Sequence, residues 1–407
     1  MKKAIAMGLA LAMSASMLAA CGGSTSSSTS TAAGGSAAAS GSAASDGAEP
    51  IRIGGITAVT GDKAEMGESF WRSWELAIEK VNADGGVLGR PVELVLEDSK
   101  GDPKEAVELA KKMGDDESIC AVLGPMTSSE AIACAPVFEE YTMVEMSPCA
   151  SNNQYAPMSD YAFTVAGKME AEQPYLVERA IHEHLGAKSV GVIWVNDDWG
   201  SSAFQSTKDG CDEFGITITD DESFVTGEKD FTAILTKIRQ TNPEYLVLIT
   251  QAADGALILN QVKAMGWDIP VVGAGAMYSD QVILLAGEAA EGLVASAGFF
   301  LSEEDPVAWD YATKFYEGAG FYPTTHGPLS YDAALLVCGA IEKAGTTDRQ
   351  AVRDALASIT DAEVDGLLAK PYEFTEDEDI VRAYCLVQIV DGKWTKISDY
   401  SKCSKFE

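Results

Sequence analysis

Histidine is nearly absent, cysteine is sparse, and basic residues are outnumbered more than two to one. Three histidines in 407 residues are too few for a rich histidine metal site, though they leave catalysis open. The eight cysteines contain no CxxC pair, which gives a zinc site little support, and they do not make a disulfide-dense mini-domain. Acidic residues number 62 against 29 basic ones, a formal net charge of −33. A nucleic-acid partner needs a basic face, and this balance argues against one. The acidic surplus reads most simply as a well-solvated surface rather than a cation site. No GxxxxGKS, GxxxxGKT or HExxH occurs, so the sequence implies no cofactor. Gly85 to Gly89 is glycine-rich, but it follows a helix and leads to a strand, the reverse of a dinucleotide-binding turn. What is present is apolar material, at 46% of residues, enough for sizeable cores. The length suggests two or three domains at ~150 residues each.

The chain opens with Lys2 and Lys3, then a 17-residue apolar stretch from Ala4 to Ala20. This pattern is that of a cleaved signal peptide and is left out of fold reasoning. Its end, Leu18-Ala19-Ala20-Cys21, resembles the bacterial lipobox, in which the chain is cut before the cysteine and that cysteine is lipidated. An ordinary signal peptide with a chance cysteine is the alternative. Gly22 to Glu49 is almost pure Ser, Thr, Gly and Ala, a flexible tether of 28 residues. Its root-mean-square span is roughly 30 Å. From Ile51 onward no run reaches the ~20 apolar residues of a membrane-spanning helix. These features predict a globular body held near a membrane, outside the cytoplasm.

Beyond the tether, strand-like and helix-like segments alternate. Strands are expected at Ile51–Ile56, Val92–Leu96, Ile119–Leu123 and Met143–Met146. Phe70, Trp74, Ala77, Ile78 and Val81 recur at helical spacing, and Asp84-Gly85-Gly86 stops that helix. Asp102-Pro103 starts another, with Asp as N-cap and Pro in the first turn. A third helix is expected over Ser128–Tyr141. The series restarts with strands at Val190–Val195, Tyr245–Thr250 and Ile269–Val272, and with helices from about Trp199 and Asp254. Such alternation predicts parallel sheets covered on both faces, and two series predict two α/β lobes. The C-terminus differs: Asp391-Gly392 between Ala383–Val390 and Lys393–Ile397 signals a hairpin.

In open parallel sheets ligands bind beyond the carboxyl ends of the strands. Two such ends stand out, Gly124 to Ser129 and Ser147 to Ser151. Hydroxyls there lie beside free helix N–H groups and make a plausible carboxylate cradle, although Ser and Thr are also common caps.

Several segments together resemble the branched-chain amino-acid branch of the type I periplasmic solute-binding proteins. They are Ile51-Arg52-Ile53-Gly54 with Thr60-Gly61, the run from Ile78 to Gly89, Glu97-Asp98 with Gly101-Asp102-Pro103, Gly227 to Phe231, Tyr331-Asp332-Ala333 and Ala340 to Gly345. The resemblance covers nearly all of residues 51–400. It implies a two-lobed α/β fold, each lobe a parallel sheet flanked by helices, with a hinge of three crossings. One lobe would take residues 50–168 and 299–381, the other 169–298 and 382–407. It further implies ligand capture between the lobes, hinge closure, docking on an ABC permease driven by ATPase subunits, and a monomer. A sensor feeding a signalling partner would use the same fold. A hydrolase would need a nucleophile–base pair that the sequence does not display.

Carried over residue by residue, the resemblance places Ser128 on the ligand carboxylate, with Cys149 and Ser151 beside it. Trp199 would cover the ligand from the second lobe, Met66 would form a wall, and His326 a further wall. Trp199 as a core residue at a helix start, and His326 as a surface loop residue, are the bland alternatives. The pattern breaks at two positions. Gly275 stands where amino-acid binders carry the acid that pairs the ligand ammonium, and Gln251 stands where a Tyr is usual. A buried ammonium needs a partner. Either Asp254, Asp280 or another acid substitutes, or the ligand is a carboxylate or amide without an α-ammonium. Asp254 and Asp280 also read as solvated helix-start residues. After Cys21, an odd seven cysteines remain, most in core-like runs. Cys385 and Cys403 flank the terminal hairpin, which leaves a bridge between them open.

Overall fold

The computed structural model describes residues 49–61, 63–360, 363–368 and 374–406. The signal segment, Cys21, Glu407 and all of the tether but Glu49 lie outside them. The first part of the chain runs β1 (Ile51–Thr57), α1 (Ala64–Ala83), β2 (Val92–Asp98), α2 (Pro103–Asp115), β3 (Ile119–Leu123), α3 (Ser128–Glu140), β4 (Val144–Ser147) and β5 (Ala162–Thr164). The second runs α4 (Met169–Tyr175), continued by a wider π-type segment over Leu176–His184, then β6 (Ser189–Val195), α5 (Asp198–Phe214), β7 (Thr217–Phe224) and α6 (Thr232–Gln240). It goes on with β8 (Tyr245–Ile249), α7 (Ala252–Ala264), β9 (Val271–Gly273), α8 (Asp280–Ala286) and β10 (Val294–Ala297). Three helices follow, α9 (Pro306–Ala319), α10 (His326–Ala344) and α11 (Arg349–Ala357), before the hairpin β11 (Cys385–Val390) and β12 (Lys393–Lys396).

The strands form two sheets. One has the order β2-β1-β3-β4-β5, all parallel. The other has the order β12-β11-β10-β9-β8-β6-β7, parallel except where the hairpin joins. The chain passes between the sheets after Thr164, after Ala297 and before Cys385.

The apolar runs of the sequence are explained by two-sided burial. In β1, Ile51 and Ile53 pack into one cluster and Ile56 into another on the opposite face. In β8, Leu246 and Leu248 face one cluster while Val247 and Ile249 face another. Successive side chains of a strand point to opposite faces, so a strand covered on both sides must be apolar throughout. On the first sheet, α1 and α10 cover one face, with Phe70, Trp74, Leu336 and Ile341 fully buried between them. Helices α2 and α3 cover the other through Ala106, Met113, Cys134 and Phe138.

Local signals fall where expected. Asp102 accepts from the N–H of Lys104 at 2.8 Å and of Glu105 at 3.1 Å, with Pro103 opening α2. The hairpin turn has φ of 52° at Asp391 and 71° at Gly392, the left-handed pair that a two-residue turn requires. Several elements were not named from sequence, β5, β7 and α6 among them. Strand β5 has three residues, and β7 is an edge strand whose Asp220, Asp221 and Glu222 break the apolar run. Helix α6 is nine residues long and buries only Leu235 and Ile238. Cys385 and Cys403 are free buried thiols, so the bridge left open by the sequence does not form. Cys120, Cys134, Cys211 and Cys338 are buried thiols as expected.

Candidate functional site

The head of α3 is built by a capping box. Thr127 Oγ1 accepts from the Glu130 N–H at 3.2 Å, and Glu130 Oε2 accepts from the Thr127 N–H at 3.2 Å. Glu130 is itself buried and held by the Ser99 hydroxyl at 2.6 Å. With the cap made by its neighbour, Ser128 keeps its hydroxyl for other work at the first helical position, where helix N–H groups lack internal acceptors.

The loop after β4 is pinned against this helix start. Ser147 donates to the Pro125 carbonyl at 2.7 Å and accepts from the Ala150 N–H at 3.1 Å. Ser128 and Ser151 are both buried, and the Ser128 hydroxyl lies 3.4 Å from the Asn152 N–H. Cys149, beside them, is partly exposed, and burial pushes its thiol up, so it stays protonated at neutral pH.

The same loop reaches the second sheet. The Asn152 side chain donates to the Asp198 carbonyl at 2.6 Å, immediately before Trp199. Asn153 binds the hydroxyls of Ser202 and Ser206, each at 3.1 Å. Asp197 caps α5 by accepting from the Gly200 N–H at 2.8 Å. Trp199 is partly buried and packs against both apolar clusters of the second sheet, so its indole is anchored rather than mobile. The structure therefore brings Ser128, Ser151 and the start of α5 together, with Asn152 as the link that sequence reasoning missed.

Glu172 was also missed. The Ser151 carbonyl accepts from the Met169 N–H at 3.0 Å, which docks the start of α4 on the site. One turn later, Glu172 Oε1 accepts from the Gly275 N–H and from the Ser296 hydroxyl, both at 2.9 Å. Burial raises this carboxyl despite those two hydrogen bonds. A Cβ on Gly275 would lie 2.5 Å from the same oxygen, so the carboxylate fills the space that a side chain at 275 would need. Asp254 hydrogen-bonds the Gly227 backbone instead, and Asp280 stands exposed in the first turn of α8.

Of the remaining expected residues, Met66 packs on the first core cluster from α1. His326 opens α10 and stacks on Phe70, one turn beyond Met66, with ring centroids 6.1 Å apart. It is a helix-start residue on an aromatic surface, which corrects its alternative as a surface loop residue. Burial lowers its pKa to about 4, so the ring is neutral at physiological pH. Gln251 precedes α7 at the end of β8, between the ends of β6 and β9, and has no described hydrogen bond to the other site residues. A separate recess of about 440 Å³, lined by Tyr278, Phe300, Leu301, Tyr322 and Trp394 among others, includes Asp280 but none of the residues expected to line the cradle.

The cradle thus lies where two parallel sheets turn their strand ends toward each other, with a hydroxyl-rich helix start on one side and α5 on the other. The model of the family described as periplasmic binding protein matches residues 50–393. The chain belongs to that family. It is a solute-binding protein by family, and the family's location is extracytoplasmic. Leu/Ile/Val-binding protein homolog 1 of Brucella suis is 28% identical over 299 residues, 73% of this chain and 80% of its own. The branched-chain amino acid transporter substrate binding protein LivJ of Streptococcus pneumoniae, solved with isoleucine, has a TM-score of 0.79 at 25% identity, covering 87% of this chain and 100% of that one. A solute binding protein of an ABC transporter from R. palustris, solved with benzoate, has a TM-score of 0.76 at 18% identity, covering 86% of this chain and 96% of that one, a likeness of fold alone. Among the described residues of this binding protein, no helix is long and apolar enough to cross a membrane.

Proposed function

We propose that this binding protein captures a small carboxylate-bearing solute, in the first place a branched-chain or other apolar amino acid, and delivers it to an ABC permease with its ATPase subunits. The lobes are taken as residues 50–168 with 299–381 and 169–298 with 382–407. The observation that carries the reading is the junction at Asn152. It sets the buried hydroxyls of Ser128 and Ser151 against the head of α5. In this reading those hydroxyls and the α3 N-terminus take the carboxylate, and Met66, Trp199 and His326 supply apolar walls. Gln251 closes over the ligand from the second lobe. The body works as a monomer.

Thermal stabilisation of residues 50–407 tests the ligand class. A native-state ligand at 100 times its Kd adds about 2.7 kcal/mol. We expect a shift with leucine, isoleucine or valine. Ser128→Ala should then weaken that ligand roughly 10- to 100-fold, the range for one hydrogen bond to a charged group. Unchanged affinity would remove Ser128 from the site. The second reading is a deaminated carboxylate or an amide, and Gly275 favours it because no side chain there can meet an ammonium. A panel won by such compounds would decide for it.

The N-terminal reading is part of the same proposal. Cleavage before Cys21 and lipidation of that cysteine would hold the body at the membrane on its tether. Cys21→Ala should move the protein from the membrane fraction to the soluble fraction of cells. Unaltered membrane retention would point to an anchor other than Cys21.

A further inference from the structure

The pattern break at Gly275 has a counterpart one helix away. Glu172 comes from α4, 103 residues before Gly275 in the chain, yet its Oε1 sits 2.9 Å from the Gly275 N–H and 2.9 Å from the Ser296 hydroxyl. Those two donors fix the carboxylate where a 275 side chain would begin. The Oε2 accepts no hydrogen bond among the described residues, and Glu172 is only partly buried. No described lysine, arginine or histidine lies within ion-pair distance of it. Arg382 directs its Nε to the Val165 carbonyl instead. Cys149 and Tyr384 lie close enough to feel the Glu172 charge, and both hold their protons at neutral pH. A partly exposed carboxylate, held by two neutral donors and lacking a cation, is an anion arranged for a cation that arrives from outside.

We propose that Glu172 takes over from position 275 as the anion that pairs the α-ammonium of the bound solute, so that the ligand is an α-amino acid and not its deaminated counterpart. The proposal rests on the site reading above, in which the ligand carboxylate meets Ser128 and Ser151. The distance from that cradle is bridged within one turn of α4, since Met169 binds the Ser151 carbonyl and Glu172 follows at i+3. Glycine at 275 then has a reason. Any Cβ there would press on the carboxylate oxygen at 2.5 Å.

The test uses the whole body and the standard L-amino acids, each beside its deaminated carboxylate, first by thermal shift and then by calorimetric affinity for the probe that binds best. Wild type should favour an amino acid over its deaminated partner. Glu172→Gln keeps the shape and one acceptor, and should lose on the order of 100- to 1000-fold in affinity for the amino acid, the range for breaking one member of a buried pair. It should leave the weak binding of the deaminated acid nearly unchanged. In Glu172→Ala/Gly275→Glu, an acid on the other side chain should restore part of the loss, which a merely structural role for Glu172 would not allow. Thermal unfolding of the unliganded variants checks that both fold. Failure of the two readings is separable. If Ser128→Ala weakens binding and Glu172→Gln does not, the site stands and the Glu172 assignment falls. If neither variant changes affinity, the site reading falls with it. A panel in which only deaminated acids bind, or in which no amino acid binds, overturns the assignment directly.

Discussion

Replacing Glu145 with glutamine should flatten the pH dependence of stability and raise stability at neutral to alkaline pH. Glu145 lies in the middle of β4 with no exposure, and neither carboxylate oxygen has a hydrogen-bond partner. Its register partner is Ala162 on β5, and the nearby Tyr155 hydroxyl donates to the backbone carbonyls of Glu145 and Phe163 instead. Burial drives the Glu145 carboxyl well above its ordinary value. The folded protein therefore holds a proton that the unfolded chain releases above about pH 4.5. The contribution is fully present below that pH. It declines as pH rises toward the folded-state pKa, at about 1.4 kcal/mol per pH unit for one proton. Glutamine is neutral throughout and has no such slope. Urea denaturation of both proteins at pH 5, 6, 7 and 8 checks this. Other titrating groups are common to the two, so the difference curve isolates Glu145. That difference should grow in favour of the variant with rising pH, and parallel curves would show that Glu145 is not buried as described.

Trp74→Ala should cost about 3–5 kcal/mol, the usual range for truncating a fully buried large aromatic. Trp74 is completely enclosed between α1 and the first sheet. It packs edge-on against Phe70 with centroids 6.1 Å apart, and a Cβ on Gly55 would lie 3.2 Å from its ring. The strand beneath has been thinned to glycine at Gly55, and the indole occupies that space. Alanine would leave a void that α10 and β1 cannot close without moving the α1 start, where Met66 and Phe70 stand. Trp74→Phe should lose clearly less. Guanidinium denaturation gives the values, and a loss below about 1 kcal/mol would mean that the α1–α10 interface repacks freely.

Strands β1 to β4 and helices α1 to α3 could be read from sequence because two-sided burial writes an unbroken apolar run, as in Ile119-Cys120-Ala121-Val122-Leu123, and because Asp102-Pro103, like Asp391-Gly392 in the second sheet, acts through neighbours in the chain. Strand β7 could not, since Thr217 to Phe224 pairs on one edge only and carries three acids in succession. The positions of Ser128, Cys149, Ser151, Trp199, Gln251 and Gly275 at or just beyond strand ends also followed from the alternation of elements. Their chemistry did not. Whether Trp199 is anchored or free, and whether His326 is on a loop or stacked on Phe70, depends on packing against residues far away in sequence.

Glu172 shows the division most clearly. The sequence alone determined that position 275 has no acid and that a buried ammonium would need one. It offered many carboxylates and no means of choosing, because nothing near Met169-Glu170-Ala171-Glu172 marks one as different from the other. The choice came from the path of α4 after the first crossing, which lays that helix across the ends of β9 and β10 and brings a side chain within 2.9 Å of a backbone 103 residues away. Short-range patterns record the period of a helix or a strand. The meeting of two segments far apart in the chain is set by the packing of whole layers, and no local pattern encodes it.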